Sequence, residues 1–330
     1  MKLLYLLYEN LSWFFLAYGL SLILIYFTGV VLSNNAVKRN KRKSLFLQVN
    51  DIVSATDIPT VTLVAPAFNE ALTIEENVKS LLSIHYPFYE LILVNDGSTD
   101  NSMELLIKKF DLEPFDATFI TQAIVTANVR KVYRSKNEQY KHLTVIDKKN
   151  GGRADAINAG INFANSELIL CTDADCIIEQ DAVLKMVRPF LEEGDKEVIA
   201  CGGAIGIAND SIIQNGVLKK LKLPRDLVPT IQVVEYIRAF LIGRMGWGEV
   251  NGLMLVSGAF GMYPRTRLIQ VGGFNVDTVG EDLELCIRLR VQMEKQKRPY
   301  KVVYLPETLC WTEAPYNYII LVKHLNRWAR

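Results

Sequence analysis

The chain has 330 residues, 50% of them hydrophobic, and a formal net charge of +1. This length suits one large or two modest domains, and the balanced charge gives no field that would favour a nucleic-acid partner. The five cysteines lie in apolar or helical contexts and form no zinc-ligand spacing with the three histidines. We therefore expect buried, reduced thiols and no nucleic-acid binding.

The N-terminal segment predicts a membrane anchor. Residues 11–32 form an uncharged run, which as a helix would be roughly 33 Å long and would match the hydrocarbon core of a bilayer. Basic residues cluster at positions 38–43, and this asymmetry predicts that the next domain is cytoplasmic. A cleaved signal peptide is the alternative, but its apolar region would be shorter and its basic residues would come first. We predict a cell-membrane anchor at 1–35 and a basic juxtamembrane linker at 36–60.

From residue 61 onward, strand and helix patterns alternate. Short apolar runs predict strands at 61–65, 91–94, 143–147, 168–171 and 198–201. Helical spacing predicts helices at 71–84, 101–110, 154–164 and from about residue 180. This alternation indicates an α/β fold with a mostly parallel sheet and helices on both faces. Residues 111–142 are long for a loop and hold either an extra strand or a lid.

The second half of the chain is less regular. Residues 228–245 form a long apolar stretch that contains charged residues, so they suit a helix at the membrane surface better than a membrane span. Residues 283–294 show helical spacing. Residues 316–330 mix apolar, aromatic and basic residues, a composition that also predicts an interfacial helix.

Acidic residues follow the ends of several predicted strands. Asp173 and Asp175 come directly after a buried strand, and carboxylate oxygens are the ligands that Mg²⁺ prefers. Alone, this pair is equally typical of a solvated turn. Glu70 and Asp96 also follow strands, and in open α/β sheets ligands bind in the crevice beyond the strand ends. Several polar clusters at one sheet edge therefore favour a binding site.

Three further clusters each allow a structural and a functional interpretation. Asp96-Gly97-Ser98 suits a strand–turn–helix connection, yet the Asp96 carboxylate could accept hydrogen bonds from a nucleobase or ribose. In Asn150–Arg153 the glycines could bring backbone N–H groups to an anion, with Arg153 clamping a diphosphate, or could form a plain turn. Gly280–Asp282 opens a helix, where acidic residues complement the dipole and Asp282 could serve as a general base.

Taken together, these motifs resemble those of membrane-anchored family 2 glycosyltransferases of the polysaccharide-synthase branch, similar to cellulose, hyaluronan and poly-N-acetylglucosamine synthases. The matching motifs, in chain order, are Pro66–Glu70, Asp96–Ser98, Asn150–Arg153, Asp173–Asp175, Ser257–Phe260, Gly280–Asp282, Trp311–Pro315 and Arg327-Trp328. The resemblance covers about residues 60–330. It implies a Rossmann-like nucleotide-sugar transferase domain of the type A glycosyltransferase fold at 61–315, with one N-terminal transmembrane helix.

The resemblance also implies roles for individual residues. The predicted nucleotide contacts are Asp96, which would meet the uracil and ribose, and Arg153, Asp173, Glu70 and Arg327. The predicted ligands of Mg²⁺ or Mn²⁺ are Asp175 and Asp173, and the predicted catalytic base is Asp282. The predicted acceptor contacts are Trp328, Ser257, Gly258 and Glu281. Arg153 stands where relatives usually carry Lys, and His324 where they carry Gln.

The implied reaction is inverting, metal-dependent transfer of a sugar from a UDP-sugar to a growing glycan at the cytoplasmic face of the membrane. Relatives continue past Trp328 into further transmembrane helices, so either residues 316–330 lead to such helices or this member lacks a complete channel; an export partner that completes the route is a further open alternative. Two alternatives remain open at this point: single addition to a membrane lipid, and a catalytically silent nucleotide-binding subunit. A nicotinamide oxidoreductase lacks support because no glycine fingerprint follows a strand.

Overall fold

A computed structural model of the chain describes residues 2–46, 58–116, 123–192, 194–214 and 216–328. In the first helix side chains are described for residue 5 and residues 8–42, and in the last helix as far as residue 323 and for residue 326.

Strands and helices alternate along the described chain. The helices are α1 (Lys2–Phe46), α2 (Ile74–Leu82), α3 (Ser102–Lys109), α4 (Arg153–Phe163), α5 (Ala182–Leu191), α6 (Leu227–Tyr236), a π-helix (Ile237–Arg244), α7 (Met245–Glu249), α8 (Arg265–Gln270), α9 (Glu281–Lys295) and α10 (Tyr318–Trp328). The strands are β1 (Val61–Ala67), β2 (Tyr89–Asn95), β3 (Leu112–Pro114), β4 (Val129–Ser135), β5 (Leu143–Lys148), β6 (Leu168–Thr172), β7 (Ile177–Ile178), β8 (Glu197–Ile207), β9 (Ile212–Gln214), β10 (Val217–Lys220), β11 (Phe260–Pro264) and β12 (Tyr300–Thr312).

One large sheet organises the domain, with the strand order β3-β4-β5-β2-β1-β6-β11-β8-β12-β7. The four central strands β5, β2, β1 and β6 are parallel. A helix returns the chain to the same end of the sheet between β1 and β2 and between β5 and β6, and α3 with β3 and β4 does so between β2 and β5. Their carboxyl ends therefore meet at one edge. β11 runs antiparallel to both β6 and β8, and β4 runs antiparallel to β5.

Outside this centre the expectation of a mostly parallel sheet holds only for β8 and β12, which pair in parallel, whereas β11, β7, β4 and β3 pair antiparallel with their neighbours. β11 returns antiparallel because its chain comes from the long helical segment of the second half rather than from a βαβ crossover. The predicted strands and helices are otherwise present, with ends that differ by a few residues. The open question about residues 111–142 is answered by β3 and β4, which extend the sheet at its edge.

α4 is unusual in carrying a buried polar face. Asn158 exchanges hydrogen bonds with the backbone of Phe274 at 2.8 and 2.7 Å, and Asn162 does the same with Ile124 at 2.7 and 3.0 Å. Asp155, one turn earlier, accepts from the backbone of Ala127 at 2.9 Å. Residues three and four apart share one side of a helix, so this face fastens two distant loops to the domain.

α1 continues past the predicted end of the anchor. The helix runs through the basic residues to Phe46, so the first part of the predicted 36–60 linker is helical. Contacts with the domain stabilise this extension: Ala36 is buried, Asn40 donates to Glu307 at 2.9 Å, and Arg188 donates to Asn40 at 2.7 Å. Among the described residues, α1 is the one helix that is long and apolar enough to cross a membrane.

The packing of α4 on β1 generates a stability prediction. A Cβ atom at Gly160 would lie 2.3 Å from Cγ1 of Val64, a fully buried and branched side chain. We expect Gly160→Ala to lower the free energy of unfolding by about 1–3 kcal/mol through overpacking. Urea unfolding of the detergent-solubilised chain measures this. Gly194→Ala is the matched control, because no atom lies within 4 Å of its added Cβ; equal effects of the two substitutions would contradict the packing argument.

Candidate active site

The predicted site residues gather at the carboxyl edge of the parallel strands. Glu70 follows β1, Asp96 follows β2, Arg153 follows β5 and Asp173 follows β6. Asn69 ties the first two loops together: its side-chain oxygen accepts from Thr99 N at 2.8 Å, and its own N–H donates to Ser98 Oγ at 3.0 Å. The sheet topology alone therefore brings together motifs that are far apart in sequence.

Asp96 is buried and organises the loop at residues 150–152. Its Oδ1 accepts from Gly151 N at 3.0 Å, its Oδ2 from Gly152 N at 2.8 Å, and its backbone carbonyl from the Asn150 side chain at 2.7 Å. Gly97 has a φ of +71°, and a Cβ there would lie 2.7 Å from Asn150 N. The two motifs form one unit, in which most of the hydrogen-bonding capacity of Asp96 is already used within the protein.

Lys148 is the site residue that the sequence analysis missed. Its side chain is 0% exposed, and its Nζ lies 2.5 Å from Asp96 Oδ1 and 2.5 Å from Asp155 Oδ2. Nζ also donates to the backbone oxygen of Lys149 at 2.8 Å. One signal was present: in the strand, Lys148 shares a face with the apolar Ile146, because alternate residues of a strand point the same way. A buried lysine persists when carboxylates compensate its charge.

A cluster of carboxylates lies beyond β6. One ligand atom each from Asp173, Asp175 and Cys176 lies within 4.8 Å of the others. Although Asp175 is open to solvent on one side, desolvation in the crevice, together with the charges of Asp173 and Glu70, raises its pKa to about 6. A cation bound there would relieve this repulsion.

The donor chemistry of the cluster suits a hard cation. A hydrogen bond with Cys310, together with burial, raises the pKa of the Cys176 thiol well above its usual range. The thiol is therefore neutral at physiological pH, and the ionised donors of the group are carboxylate oxygens. Such a set fits Mg²⁺ or Mn²⁺.

Arg153 connects the carboxylate cluster to the opposite wall of the site. Its Nε donates to Asp173 at 2.7 Å, its NH1 to Glu281 at 2.8 Å and its NH2 to the backbone oxygen of Gly258 at 2.7 Å. Burial alone would lower the pKa of the guanidinium, but Asp173 and Glu281 raise it above its usual value. Glu281, predicted as an acceptor contact, is thus an ion-pair partner of Arg153.

Asp282 lies in the first turn of α9, where the backbone orients it. Its Oδ2 accepts from Gly258 N at 3.0 Å and its Oδ1 from Leu283 N at 2.9 Å. A Cβ at Gly258 would lie 3.2 Å from Asp282 Oδ2 and 3.3 Å from Arg153 NH1, so the small residue permits this close approach. Ser257 precedes this glycine at the same wall, three residues before β11 begins at Phe260.

Two predicted contacts lie on α10. The backbone of this helix includes Arg327 and Trp328, but their side chains lie outside the described part of the chain. Their predicted roles at the diphosphate and the acceptor sugar stay predictions, as does the effect of His324 where relatives carry Gln.

Comparison with known proteins gives three findings. The family model described as "Glycosyltransferase like family 2" matches residues 59–330. A poly-beta-1,6-N-acetyl-D-glucosamine synthase of Staphylococcus aureus strain COL is 27% identical over 280 residues, which are 84% of this chain and 56% of that protein. The Staphylococcus epidermidis synthase is 27% identical over 272 residues, 82% of this chain and 54% of that protein. The chain thus spans about half the length of these curated relatives.

Among solved structures, the fold is similar to that of the mannosyltransferase PcManGT from Pyrobaculum calidifontis in complex with GDP-Man and Mn²⁺. The TM-score is 0.53 at 16% identity, covering 92% of this chain and 74% of that chain. This likeness concerns the fold, and it confirms the predicted type A glycosyltransferase architecture.

The buried ion cluster generates a prediction. Lys148→Met leaves Asp96 and Asp155 without their cation, and we expect it to cost about 3–5 kcal/mol of folding free energy. We also expect loss of nucleotide binding, because the loop at 150–152 loses its fixed geometry. Lys149→Met is the matched control, since that side chain is exposed. Unfolding curves and calorimetric titration with UDP report the two effects; if both variants bind UDP equally well, Lys148 has no positioning role.

Proposed function

The chain belongs to the family described as "Glycosyltransferase like family 2"; on that premise we propose that it is a glycosyltransferase, which transfers a hexosyl or N-acetylhexosaminyl group from a UDP-sugar to a growing glycan with inversion at the anomeric carbon. The relatives at 27% identity are polysaccharide synthases, which supports a polymeric product. Single addition to a membrane lipid and a silent subunit are the rival functions.

One continuous set of contacts carries this proposal. Asp173 bonds Arg153, Arg153 bonds the Gly258 carbonyl, and the Gly258 N–H bonds Asp282. The proposed nucleotide end and the proposed acceptor end of the site are therefore held at a fixed separation by one guanidinium and one glycine. The site retains its carboxylate cluster at Asp173 and Asp175, and it retains the oriented carboxylate of Asp282 opposite that cluster. Both features favour an active transferase over a silent subunit.

In the proposed mechanism, Asp282 is the general base. The carboxylate accepts the proton of an acceptor hydroxyl as its oxygen attacks the anomeric carbon from the face opposite the nucleotide. The bond between that carbon and the diphosphate oxygen breaks, and the bonding electrons leave with UDP. General-base assistance of this kind is worth about 10²–10⁴-fold in rate.

Arg153 and the carboxylate cluster serve the leaving group in this proposal. A guanidinium has five N–H donors, and three of those of Arg153 are engaged within the protein, so others remain for a diphosphate. Asp173 and Asp175 would hold Mg²⁺ or Mn²⁺, which supplies positive charge beside the departing diphosphate. The Mn²⁺ in the complex of the mannosyltransferase neighbour supports this assignment. Glu70, with its backbone tied to Ser102 at 3.1 Å, would border the nucleotide.

We propose that α1 anchors the catalytic domain at the cytoplasmic face of the cell membrane. The support is its uncharged run at 11–32 followed by basic residues. The anchor at 1–35, the catalytic domain at 61–315 and the interfacial segment at 316–330 are kept as proposed units, with the 36–60 region beginning as helix. An export partner would receive a polymeric product.

Replacing the proposed base tests the mechanism. We expect Asp282→Asn to lower the transfer rate by about 10²–10⁴-fold while UDP binding is retained, because the amide keeps the shape but accepts a proton poorly. Asp277→Asn, an exposed carboxylate in the loop before α9, is the control and should keep full turnover. Near-normal turnover of Asp282→Asn would exclude this residue as the base.

The pKa of Asp175 generates a pH prediction for metal binding. Protons compete with Mn²⁺ for this carboxylate, so the affinity should fall as the pH drops through about 6 and then by about tenfold per pH unit. Electron paramagnetic resonance of free Mn²⁺ measures the affinity across this range. Asp175→Asn should weaken binding and remove the step near pH 6; an unchanged step in that variant would assign the titration to another group.

Donor identity is tested by measuring UDP release from membranes that contain the chain, with a panel of UDP-sugars and either Mn²⁺ or EDTA. Release with one sugar, lost in EDTA, would support a metal-dependent transferase and identify its donor. Product length then separates a polymerase from a single-addition enzyme. GDP-mannose is tested in parallel. Release of GDP from GDP-mannose, without release of UDP from any UDP-sugar, would overturn the proposed nucleotide.

A further inference from the structure

We propose that a cavity between the ends of β8 and β12 and the α6–π-helix segment binds the hydrocarbon chain of a membrane phospholipid. This inference rests on the proposed membrane anchoring by α1 and does not depend on the sugar, the nucleotide or the acceptor. The site would hold the domain against the cytoplasmic leaflet at a second point.

The cavity has the size and lining of a site for an apolar ligand. Its volume is about 230 Å³, larger than the roughly 150 Å³ of an apolar cavity that takes up benzene. The lining residues that matter for the argument are Leu223, Val233, Ile237, Phe240, Leu241 and Trp311. Hydrocarbon that covered these apolar walls would release the water in contact with them, which is favourable.

Contacts with α1 place this cavity at the level of the membrane surface. Ser33, directly after the uncharged run at 11–32, donates a hydrogen bond to the carbonyl of Leu241, which lines the cavity. One turn earlier, Gly29 packs on α7, where a Cβ at Gly246 would lie 3.0 Å from the Gly29 carbonyl oxygen. The helical wall of the cavity therefore touches α1 at the cytoplasmic end of its proposed span.

The mouth of the cavity is apolar and exposed. Leu221, Leu223 and Ile237 are 53%, 76% and 50% exposed, although all three line the cavity. Lys222 lies among them and could meet the phosphate of the same lipid. Exposed apolar side chains beside a helical wall that touches the proposed anchor favour a lipid-facing surface.

The lining favours hydrocarbon over a sugar chain. Trp311 is the side chain on which a sugar could stack, but its indole N–H already donates to Glu179 Oε1 at 2.7 Å. Most of the remaining wall is aliphatic or aromatic. Sugar hydroxyls in this cavity would find few partners, which is costly in an apolar setting, whereas an acyl chain needs none.

Quenching of tryptophan fluorescence by brominated phosphatidylcholine tests the inference. The full chain is placed in nanodiscs in two single-tryptophan forms, in which the other tryptophans are changed to Phe. One form keeps Trp13, which lies in the uncharged run and is 67% exposed, and the other keeps Trp311. We expect brominated lipids to quench both forms: Trp13 most strongly with bromines close to the glycerol, because it lies near one end of the run at 11–32, and Trp311 most strongly with bromines near the chain ends.

The depth of the bromine distinguishes the cavity from the bilayer surface. A chain that bends into the cavity brings its terminal bromines to Trp311, so these should quench Trp311 more strongly than bromines close to the glycerol. The opposite order would mean that Trp311 merely rests against the headgroups, and it would overturn the inference. This comparison uses the same protein throughout and needs no further variant.

A matched pair of substitutions completes the test. Val233 lines the cavity, whereas its neighbour Val234 is 61% exposed and does not. Val233→Phe should fill the cavity and abolish quenching of Trp311, and Val234→Phe should leave it unchanged. Quenching that persists in Val233→Phe would also overturn the inference. Absent quenching of Trp13 would refute the anchoring by α1, whereas quenching of Trp13 without that of Trp311 would refute the cavity alone.

Discussion

Repulsion among carboxylates at the edge of the sheet is the constraint on which the site depends. The parallel strands deliver Asp96, Asp173 and Asp175 to one edge, and α4 and α9 add Asp155, Glu281 and Asp282. Such a concentration of negative charge is unfavourable unless cations or hydrogen-bond donors compensate it. Lys148 and Arg153 provide that compensation inside the protein, at two different points.

The two basic residues divide the site. Lys148 is fully buried and neutralises Asp96 and Asp155, which makes the loop at 150–152 part of the rigid framework. Arg153 is partly exposed and joins Asp173 to Glu281, which leaves donors for a ligand. Asp175 receives neither cation, and desolvation together with the charges of Asp173 and Glu70 raises its pKa. Asp175 is therefore the carboxylate beside which a divalent cation would bind.

The first helix gives this framework its orientation. α1 continues as a helix beyond its uncharged run and is fixed to the domain through Asn40, Glu307 and Arg188. A rigid helix transmits orientation where a flexible linker would not. In the proposed anchoring, this contact and the apolar mouth of the cavity beside the π-helix would present a defined side of the domain to the membrane.

The sequence by itself determined the alternating strands and helices, the apolar N-terminal helix and the residue types after each strand, because these depend on local periodicity and composition. Together with the resemblance to family 2 glycosyltransferases, the sequence predicted Asp96, Arg153, Asp173 and Asp282 as site residues. It did not reveal that β11 runs antiparallel, that Lys148 is buried or that Glu281 pairs with Arg153. Arg153 and Glu281 are 128 positions apart in the sequence. Lys148 lies in a charged run of the kind that is usually exposed at the surface. Only the tertiary structure decided these points, because charge pairing and strand direction depend on contacts between segments whose separation no local pattern encodes.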